Sequence, residues 1–206
     1  MEEKMNRNQM LPSEYTVEDY CGSRDTDIMT QHFTCGRLYI VGEIDRDLAM
    51  HFLAALQLLA DQKKPAEVVI NTPGGDVDSG LLIYDAIRAY PYPLTCYCTG
   101  KAASIGAVIF AGGQHGRRFI FPHSGVMIHE PLISSSYLGN ATSIEKTAQS
   151  ILKIRSVLNE ILAEHTGKTI GEINDAVRTD YCMTAEEAVA FGICDGIRTF
   201  FEEGSA

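Results

Sequence analysis

The feature that most constrains the fold is a regular alternation of short apolar segments with amphipathic segments between residues 37 and 129. The short segments predict strands, and the segments between them repeat apolar residues at helical spacing. In chain order, the predicted elements are strand Arg37–Gly42, helix Ala49–Ala60, strand Glu67–Asn71, helix Asp78–Tyr90, strand Leu94–Thr99, helix Ala102–Ala111, and strands Arg117–Phe121 and Val126–His129. This order predicts an α/β layout with parallel strands and right-handed crossovers.

A further helix is the longest of the chain. Over Ile144–Glu164 the apolar residues form one narrow stripe, and Gly167 is placed to end the helix. The stripe consists of Ile144, Thr147, Ile151, Ile154, Leu158 and Ile161. It predicts packing against a partner helix, such as one from another subunit. Thr184 and Glu187 form a capping box that opens a short helix over Ala185–Phe191.

The length of 206 residues suits one domain. Residues 1–30 are polar and acidic, and we expect a mobile arm or an edge element there. Residues 31–206 are expected to form a single α/β domain. The apolar uncharged runs Leu48–Ala60 and Ala102–Gln114 span 13 residues each, fewer than the ~20 that a bilayer requires, so no membrane span is predicted.

The overall charge disfavours two classes of partner. Lys and Arg number 17 against 27 Asp and Glu, for a net charge of −10. A net anion is a poor partner for nucleic acid or anionic lipid. No signal peptide is visible at the start, and we expect reduced thiols in a cytoplasmic protein. The cysteines are Cys21, Cys35, Cys96, Cys98, Cys182 and Cys194.

Glycines between a predicted strand and a predicted helix mark the first candidate site, Asn71–Gly75. Glycine allows backbone N–H groups to approach a ligand, and the helix start adds partial positive charge, so this loop could hold an oxyanion. It could also be only a tight turn. The pattern of a P-loop or of a dinucleotide fingerprint is absent. Asp76 and Asp78 resemble metal ligands, but the helix dipole alone favours acids there, and we predict no metal site.

Three polar residues elsewhere could form a catalytic group. Ser104, among small residues before a helix, could be a nucleophile or a capping serine. His129, at the end of a strand, could be a base or an edge residue. Asp180 could orient an imidazole or belong to a turn, and spacing alone does not separate it from Asp175 or Asp195.

Taken together, these stretches resemble the proteolytic subunits of the caseinolytic (Clp) proteases from about residue 37 to residue 198. The matching segments, in the order of the family, are Asn71–Gly75, Leu82–Ala86, Gly100–Gly106, Met127–Leu132, Ala163–Gly167 and Asp180–Ala188. The resemblance implies a crotonase-like spiral of ββα units. It also implies a protruding handle helix, with a handle region at about residues 133–166 of a single peptidase domain.

The resemblance also implies the roles of single residues in a serine endopeptidase that works by acyl transfer. The family's nucleophile falls on Ser104, its general base on His129 and its orienting acid on Asp180. Its oxyanion hole falls on the backbone N–H groups of Gly75 and Ile105, although Ile105 replaces the usual Met.

The family binds its polypeptide substrate as an extended strand. Here the substrate strand would lie beside Gly74, Asp76 and Val77 on one side and beside Leu132 and Ile133 on the other. Two departures bear on assembly. The family's Pro-Leu-Gly-Gly after the histidine is Pro-Leu-Ile-Ser here, and Thr rather than the usual Arg precedes the catalytic acid.

The family assembles into heptameric rings, and two rings form a tetradecamer that can dock an AAA+ unfoldase. ATP would be used by that partner, so no cofactor is expected in this chain. The first 36 residues do not match the family's apolar N-terminal loop, which meets the unfoldase. Two alternatives remain from sequence: a crotonase-type acyl-CoA enzyme, and a catalytically silent ring subunit of a mixed assembly.

Overall fold

A computed structural model of the chain describes residues 14–19, 22–132 and 140–200. The strands are β1 (Glu14–Asp19), β2 (Gly22–Asp27), β3 (Arg37–Val41), β4 (Ala66–Thr72), β5 (Leu94–Ala103), β6 (Arg118–Ile120), β7 (Gly125–Ile128), β8 (Tyr181–Met183) and β9 (Gly196–Ile197). The helices are α1 (Ile28–Thr34), α2 (Arg46–Asp61), α3 (Val77–Ala89), α4 (Ile105–Ala111), α5 (Ala141–Thr166), α6 (Ile170–Ala176) and α7 (Ala185–Phe191).

A mainly parallel sheet organises these elements. Its strand order is β3-β4-β5-β6-β9, and β7 also pairs with β5. The first half of β5 pairs with β6, through Cys96–Cys98, and its last residues, Lys101–Ala103, pair with β7. The short strand β8 adds antiparallel to β7. The sheet therefore turns at β5, and the predicted α/β architecture with parallel strands is confirmed.

The buried face of this sheet packs against the helices and forms the core. Ile40, Ile70, Leu94 and Ile120 are fully buried strand residues. Phe110 of α4 is fully buried as well, because α4 contacts strands and helices on several sides. Burial of each such side chain contributes about 1.5–3 kcal/mol to stability.

One predicted boundary is wrong. We expected a helix from Ala102, but β5 continues through Ala103 and α4 begins at Ile105. The reason is strand pairing, since Ala102 pairs with Thr72 of β4 and Ala103 pairs with Met127 of β7. The apolar run over these residues contains both a buried strand end and a buried helix, which periodicity does not separate.

The chain after β7 contains the long helix and one unexpected element. Asn140 caps α5, accepting a hydrogen bond from the backbone N–H of Ser143, and Gly167 ends the helix in the left-handed conformation. The helix α6 was not anticipated, although Thr169 and Glu172 form a capping box at its start. The N-terminal half of α5 (residues 141–153), called its outer half below, is largely uncovered, and Ile144 there is 51% exposed.

The N-terminal region has structure where it is described. Strands β1 and β2 form an antiparallel hairpin, and α1 follows directly. The division into an arm of residues 1–30 and a domain of residues 31–206 stays a prediction. Within the described ranges, no helix has the length and apolar character needed to cross a membrane.

Candidate active site

Ser104 stands at the junction between β5 and α4, in a conformation that few non-glycine residues adopt. Its φ of 57° and ψ of −128° lie outside the regions favoured by L-residues. Its backbone N–H donates to the carbonyl of Met127 in β7 at 2.8 Å, which anchors the junction. The hydroxyl makes no capping bond to α4, although Ser104 is the N-cap residue. Strain of this kind is common at functional sites.

His129 follows β7 directly and faces this hydroxyl. Ala103 and Met127 are paired in the parallel β5–β7 ladder, so the residues just beyond them emerge at the same end of the sheet. The Nε2 atom of His129 lies 2.8 Å from Ser104 Oγ, within hydrogen-bond distance. The His129 side chain is only 15% exposed.

Asp180 precedes β8 and lies on the other side of the imidazole. Ile128 pairs with Tyr181 in the antiparallel β7–β8 ladder, which places the next residues, His129 and Asp180, opposite each other. The Nδ1 atom of His129 is 3.5 Å from Asp180 Oδ1. This separation is longer than a good hydrogen bond, and the Asp180 side chain is 71% exposed.

The two other aspartates that spacing left open are engaged elsewhere. Asp175 lies 3.7 Å from Arg178. Asp195 makes an ion pair of 2.6 Å with Arg118, and the Arg118 guanidinium and N–H lower the pKa of its carboxyl despite the opposing effect of burial. The structure therefore brings together Ser104, His129 and Asp180 and leaves these two aspartates outside the group.

Two backbone N–H groups lie at the edge of this group. Ile44 donates to the carbonyl of Gly74 and accepts from the N–H of Asp76, so the N–H of Gly75 between them points away from Ile44. Ile105 is the first residue of α4, and its N–H has no partner within the helix. Both groups are suited to stabilise negative charge.

Gly74 brings the glycine loop against the serine. Its φ is 100°, and an added Cβ would lie 2.7 Å from Ser104 Cβ and 2.9 Å from the Ala103 carbonyl oxygen. An added Cβ at Gly75 would lie 2.1 Å from the carbonyl oxygen of Ile44. Only glycine fits at Gly75 without a backbone shift, because every contacting atom there belongs to the Ile44 backbone, whereas a side chain at Gly74 would press on Ser104 itself.

Three of the predicted substrate-binding residues, Gly74, Asp76 and Val77, belong to this loop or directly follow it. The Asp76 carboxylate caps α3, accepting from the N–H of Ser79 at 2.9 Å and from its hydroxyl at 2.6 Å. Val77 lines a narrow pocket that opens beside Ser104. Leu132 is 75% exposed, and Ile133 lies outside the described residues. Substrate contact at these positions stays a prediction.

The pocket beside Ser104 is formed largely by residues that sequence reasoning did not assign to the site. Its apolar wall consists of Val77, Ile105, Val108, Ile128, Pro131, Leu158 and Leu162. Asn159 also lines it, and its side-chain amide donates to Asn174 at 2.7 Å. Leu158 belongs to the α5 stripe, which was assigned to packing against a partner helix. The sequence signal that could have indicated this pocket is that the C-terminal half of α5 (residues 154–166) is as apolar as its N-terminal half.

Two absences apply to the described part of the chain. No group of three or more side chains there is arranged to hold a metal ion. The cysteines described are unpaired, and burial raises the pKa of Cys96, Cys98 and Cys194 to about 12. These thiols are unreactive in the core.

Comparisons with known proteins agree with the resemblance seen in the sequence. A family model described as Clp protease matches residues 21–200. The ATP-dependent Clp protease proteolytic subunit 1 of Protochlamydia amoebophila is 42% identical to this chain over 169 residues, which are 81% of this chain and 82% of that relative. The match covers both the glycine loop and the Ser104, His129 and Asp180 group, and the chain therefore belongs to the Clp protease family.

Proposed function

We propose that this chain is a serine endopeptidase subunit that cleaves unfolded polypeptides and short peptides by acyl transfer. The observation that supports it best is the 2.8 Å contact between His129 Nε2 and Ser104 Oγ at a strained strand-to-helix junction. In this proposal Ser104 is the nucleophile, His129 is the general base and Asp180 orients the imidazole.

The geometry supports a two-step reaction. His129 takes the Ser104 proton while Oγ bonds to the peptide carbonyl carbon, and the carbonyl electron pair moves to the oxygen. The N–H groups of Gly75 and Ile105 donate to that oxyanion, and each such donor is typically worth about 10²–10³ in rate. The C–N bond then breaks, and His129 gives its proton to the leaving amine. Water repeats the sequence on the acyl-enzyme and releases Ser104.

Substrate binding follows from the surroundings of the serine. The apolar pocket lined by Val77, Val108 and Leu162 suits an apolar side chain on the residue that donates the scissile carbonyl. The substrate backbone would add as a strand between the Gly74–Val77 loop and residues Leu132 and Ile133.

The wider assembly belongs to the same proposal. The uncovered apolar residues on the outer half of α5, such as Ile144, favour helix packing between heptameric rings of a double-ring tetradecamer. Polypeptides would be delivered by an AAA+ unfoldase that uses ATP, and this chain itself would need no cofactor. We place the assembly in the cytoplasm, with neither nucleic acid nor membrane among its partners.

Two alternatives are less well supported. Membership of a protease family gives no support to a crotonase-type acyl-CoA enzyme. A catalytically silent ring subunit would not need an imidazole within hydrogen-bond distance of a strained serine. Measured binding of a CoA thioester would favour the first alternative, and a well-assembled ring without peptidase activity would favour the second.

The test is active-site labelling of the assembled protein. A fluorophosphonate should modify Ser104, and Ser104→Ala should abolish both labelling and hydrolysis of a fluorogenic peptide. Ser79→Ala is the control, because Ser79 is a buried serine near a helix start whose hydroxyl donates to Asp76 rather than meeting an imidazole. Native mass measurement on the same sample reports the ring size. Failure of the wild-type assembly to become labelled would contradict the proposal.

A further inference from the structure

The residue next to the proposed base is held from two sides. The Oε1 atom of Glu130 accepts a hydrogen bond from Nη1 of Arg155 on α5 at 3.0 Å. The backbone N–H of Glu130 donates to the carbonyl of Val177 at 3.0 Å. Glu130 therefore joins the end of β7 to the long helix and to the segment that leads from α6 to Asp180.

These two bonds lie where the strand pairing stops. The β7–β8 ladder ends at the pair of Ile128 and Tyr181, so it does not include His129 or Asp180. Asp180 has little enclosure of its own, since its side chain is 71% exposed. The next fixed points beyond the ladder are therefore Glu130, one residue after His129, and Val177, three residues before Asp180. The backbone bond of Glu130 joins these two points.

The side chain of Glu130 contacts Arg155, whereas the imidazole of His129 contacts Ser104. Glu130 lies two residues beyond the end of β7, and no hydrogen bond found among the described residues joins its side chain to His129 or Ser104. Its carboxylate is directed to Arg155 instead. The covalent link from this pair to His129 is the backbone between residues 129 and 130.

We propose that Glu130 and Arg155 are positioning residues for the reaction, which rests on the proposed roles of Ser104, His129 and Asp180. The ion pair fixes the end of β7 against α5 and so sets the distances from the imidazole to the serine and to the aspartate. The two side chains are 37% and 38% exposed, so the pair contributes little to global stability. A catalytic group is far more sensitive to small displacement than the fold is.

The experiment measures the rate of fluorophosphonate labelling of Ser104 in the assembled full-length chain. Arg155→Met should slow labelling by about threefold to tenfold, in the limiting rate constant rather than in the half-saturating concentration. The melting temperature should change little. Arg155→Lys should retain most of the rate, and the charge-reversed double variant Glu130→Arg/Arg155→Glu should recover part of it.

The matched control is Arg88→Met. Arg88 also connects α5 to another element, because it lies 4.0 Å from Glu164 and is comparably exposed, but neither residue adjoins the site. This variant should be labelled at the wild-type rate. Equal slowing by Arg88→Met and Arg155→Met, or an unchanged rate in Arg155→Met, would overturn the positioning role while leaving the proposed function in place.

A second measurement separates this inference from the proposed function. Crystal structures of the wild type and of Arg155→Met report the position of the imidazole whether or not the protein is active. A displaced or disordered His129 in the variant supports the positioning role. An imidazole that keeps its contact with Ser104 overturns it. Absence of labelling in the wild type would count against the proposed function alone.

Discussion

At residue 104, backbone strain and close packing together fix the position of the Ser104 hydroxyl. Ser104 keeps a positive φ because its N–H is bonded to β7 and because Gly74 packs against its Cβ. The hydroxyl is thus aimed by the backbone around it rather than by its own rotamer alone. A change that disturbs the backbone here should therefore affect reaction rate before it affects the fold.

The first expectation concerns Gly74→Ala. The new methyl group would lie 2.7 Å from Ser104 Cβ, which forces a shift of the serine or of the loop. We expect labelling of Ser104 to fall by about 10²-fold, as for misplacement of a reacting group by roughly 1 Å. Gly116→Ala is the control, because Gly116 also has positive φ but nothing lies within 4 Å of an added Cβ. A similar loss in both variants would show that the effect does not depend on the contact between residue 74 and Ser104.

The second expectation concerns Asp180→Asn. An exposed carboxylate 3.5 Å from the imidazole orients it less firmly than a buried acid would. We expect peptide hydrolysis to fall by about 10- to 100-fold, less than the ~10⁴-fold known for a buried triad acid. Asp175→Asn, which alters a carboxylate paired only with Arg178, should leave hydrolysis unchanged. A loss as large as that of Ser104→Ala would mean that Asp180 is held more tightly in the working assembly.

At the scale of elements, one end of α5 lines the pocket beside Ser104 and the other end is exposed. Its inner end supplies Leu158 and Leu162 to the pocket beside Ser104. Its outer half leaves Ile144 and Leu152 about half exposed. The apolar stripe thus contributes Leu158 to the pocket at one end, while its Ile144 remains available for contact with another subunit at the other.

The third expectation tests the outer half of α5. Ile144→Asp places a charge in the uncovered apolar stripe, and we expect the native mass to shift from that of the proposed double ring toward that of single rings. Gln149→Asp adds the same charge to the same helix at an exposed polar position and should leave the mass unchanged. Retention of the full mass by Ile144→Asp would contradict the proposed contact between rings through this stripe.

The sequence predicted elements better than it predicted contacts between them. The strands before Ser104 and the long helix followed from local periodicity and capping residues. Asp180 could not be chosen by spacing, because its approach to His129 depends on the register between β7 and β8, which are distant in the chain. The resemblance to a family supplied that choice. The pocket was missed for a related reason, since Leu162 reaches it only through tertiary packing.

At the scale of the whole molecule, a buried polar cluster joins α5 to the sheet. His165 is 2% exposed, and its Nε2 atom lies 2.8 Å from the Tyr84 hydroxyl. Arg118 donates to the His165 carbonyl and pairs with Asp195. Burial, reinforced by the positive charge of Arg88, lowers the pKa of His165 to about 4.

The fourth expectation follows from that pKa. The folded protein keeps His165 neutral, whereas the unfolded chain takes up a proton near pH 6.5. The unfolded state therefore binds more protons below that pH, and the free energy of unfolding should fall from pH 6.5 to pH 4, by up to ~3 kcal/mol. Chemical denaturation across this range measures it.

The control variants isolate this histidine. His165→Gln should be less stable at neutral pH but should lose less stability on acidification. His51→Gln, which alters an exposed histidine on α2, should retain the wild-type slope. An unchanged slope in His165→Gln would assign the acid sensitivity to other groups.

The ten-residue strand β5 ends at the proposed nucleophile and is flanked on both edges along most of its length. The aspartate, in contrast, sits beside a three-residue strand at the border of the sheet. Hydrogen exchange should accordingly be slowest in the amides before Ser104 and much faster around Asp180. Thermal fluctuations would then separate Asp180 from His129 while Ser104 keeps its position. The proposed catalytic geometry would be lost and regained without unfolding of the core.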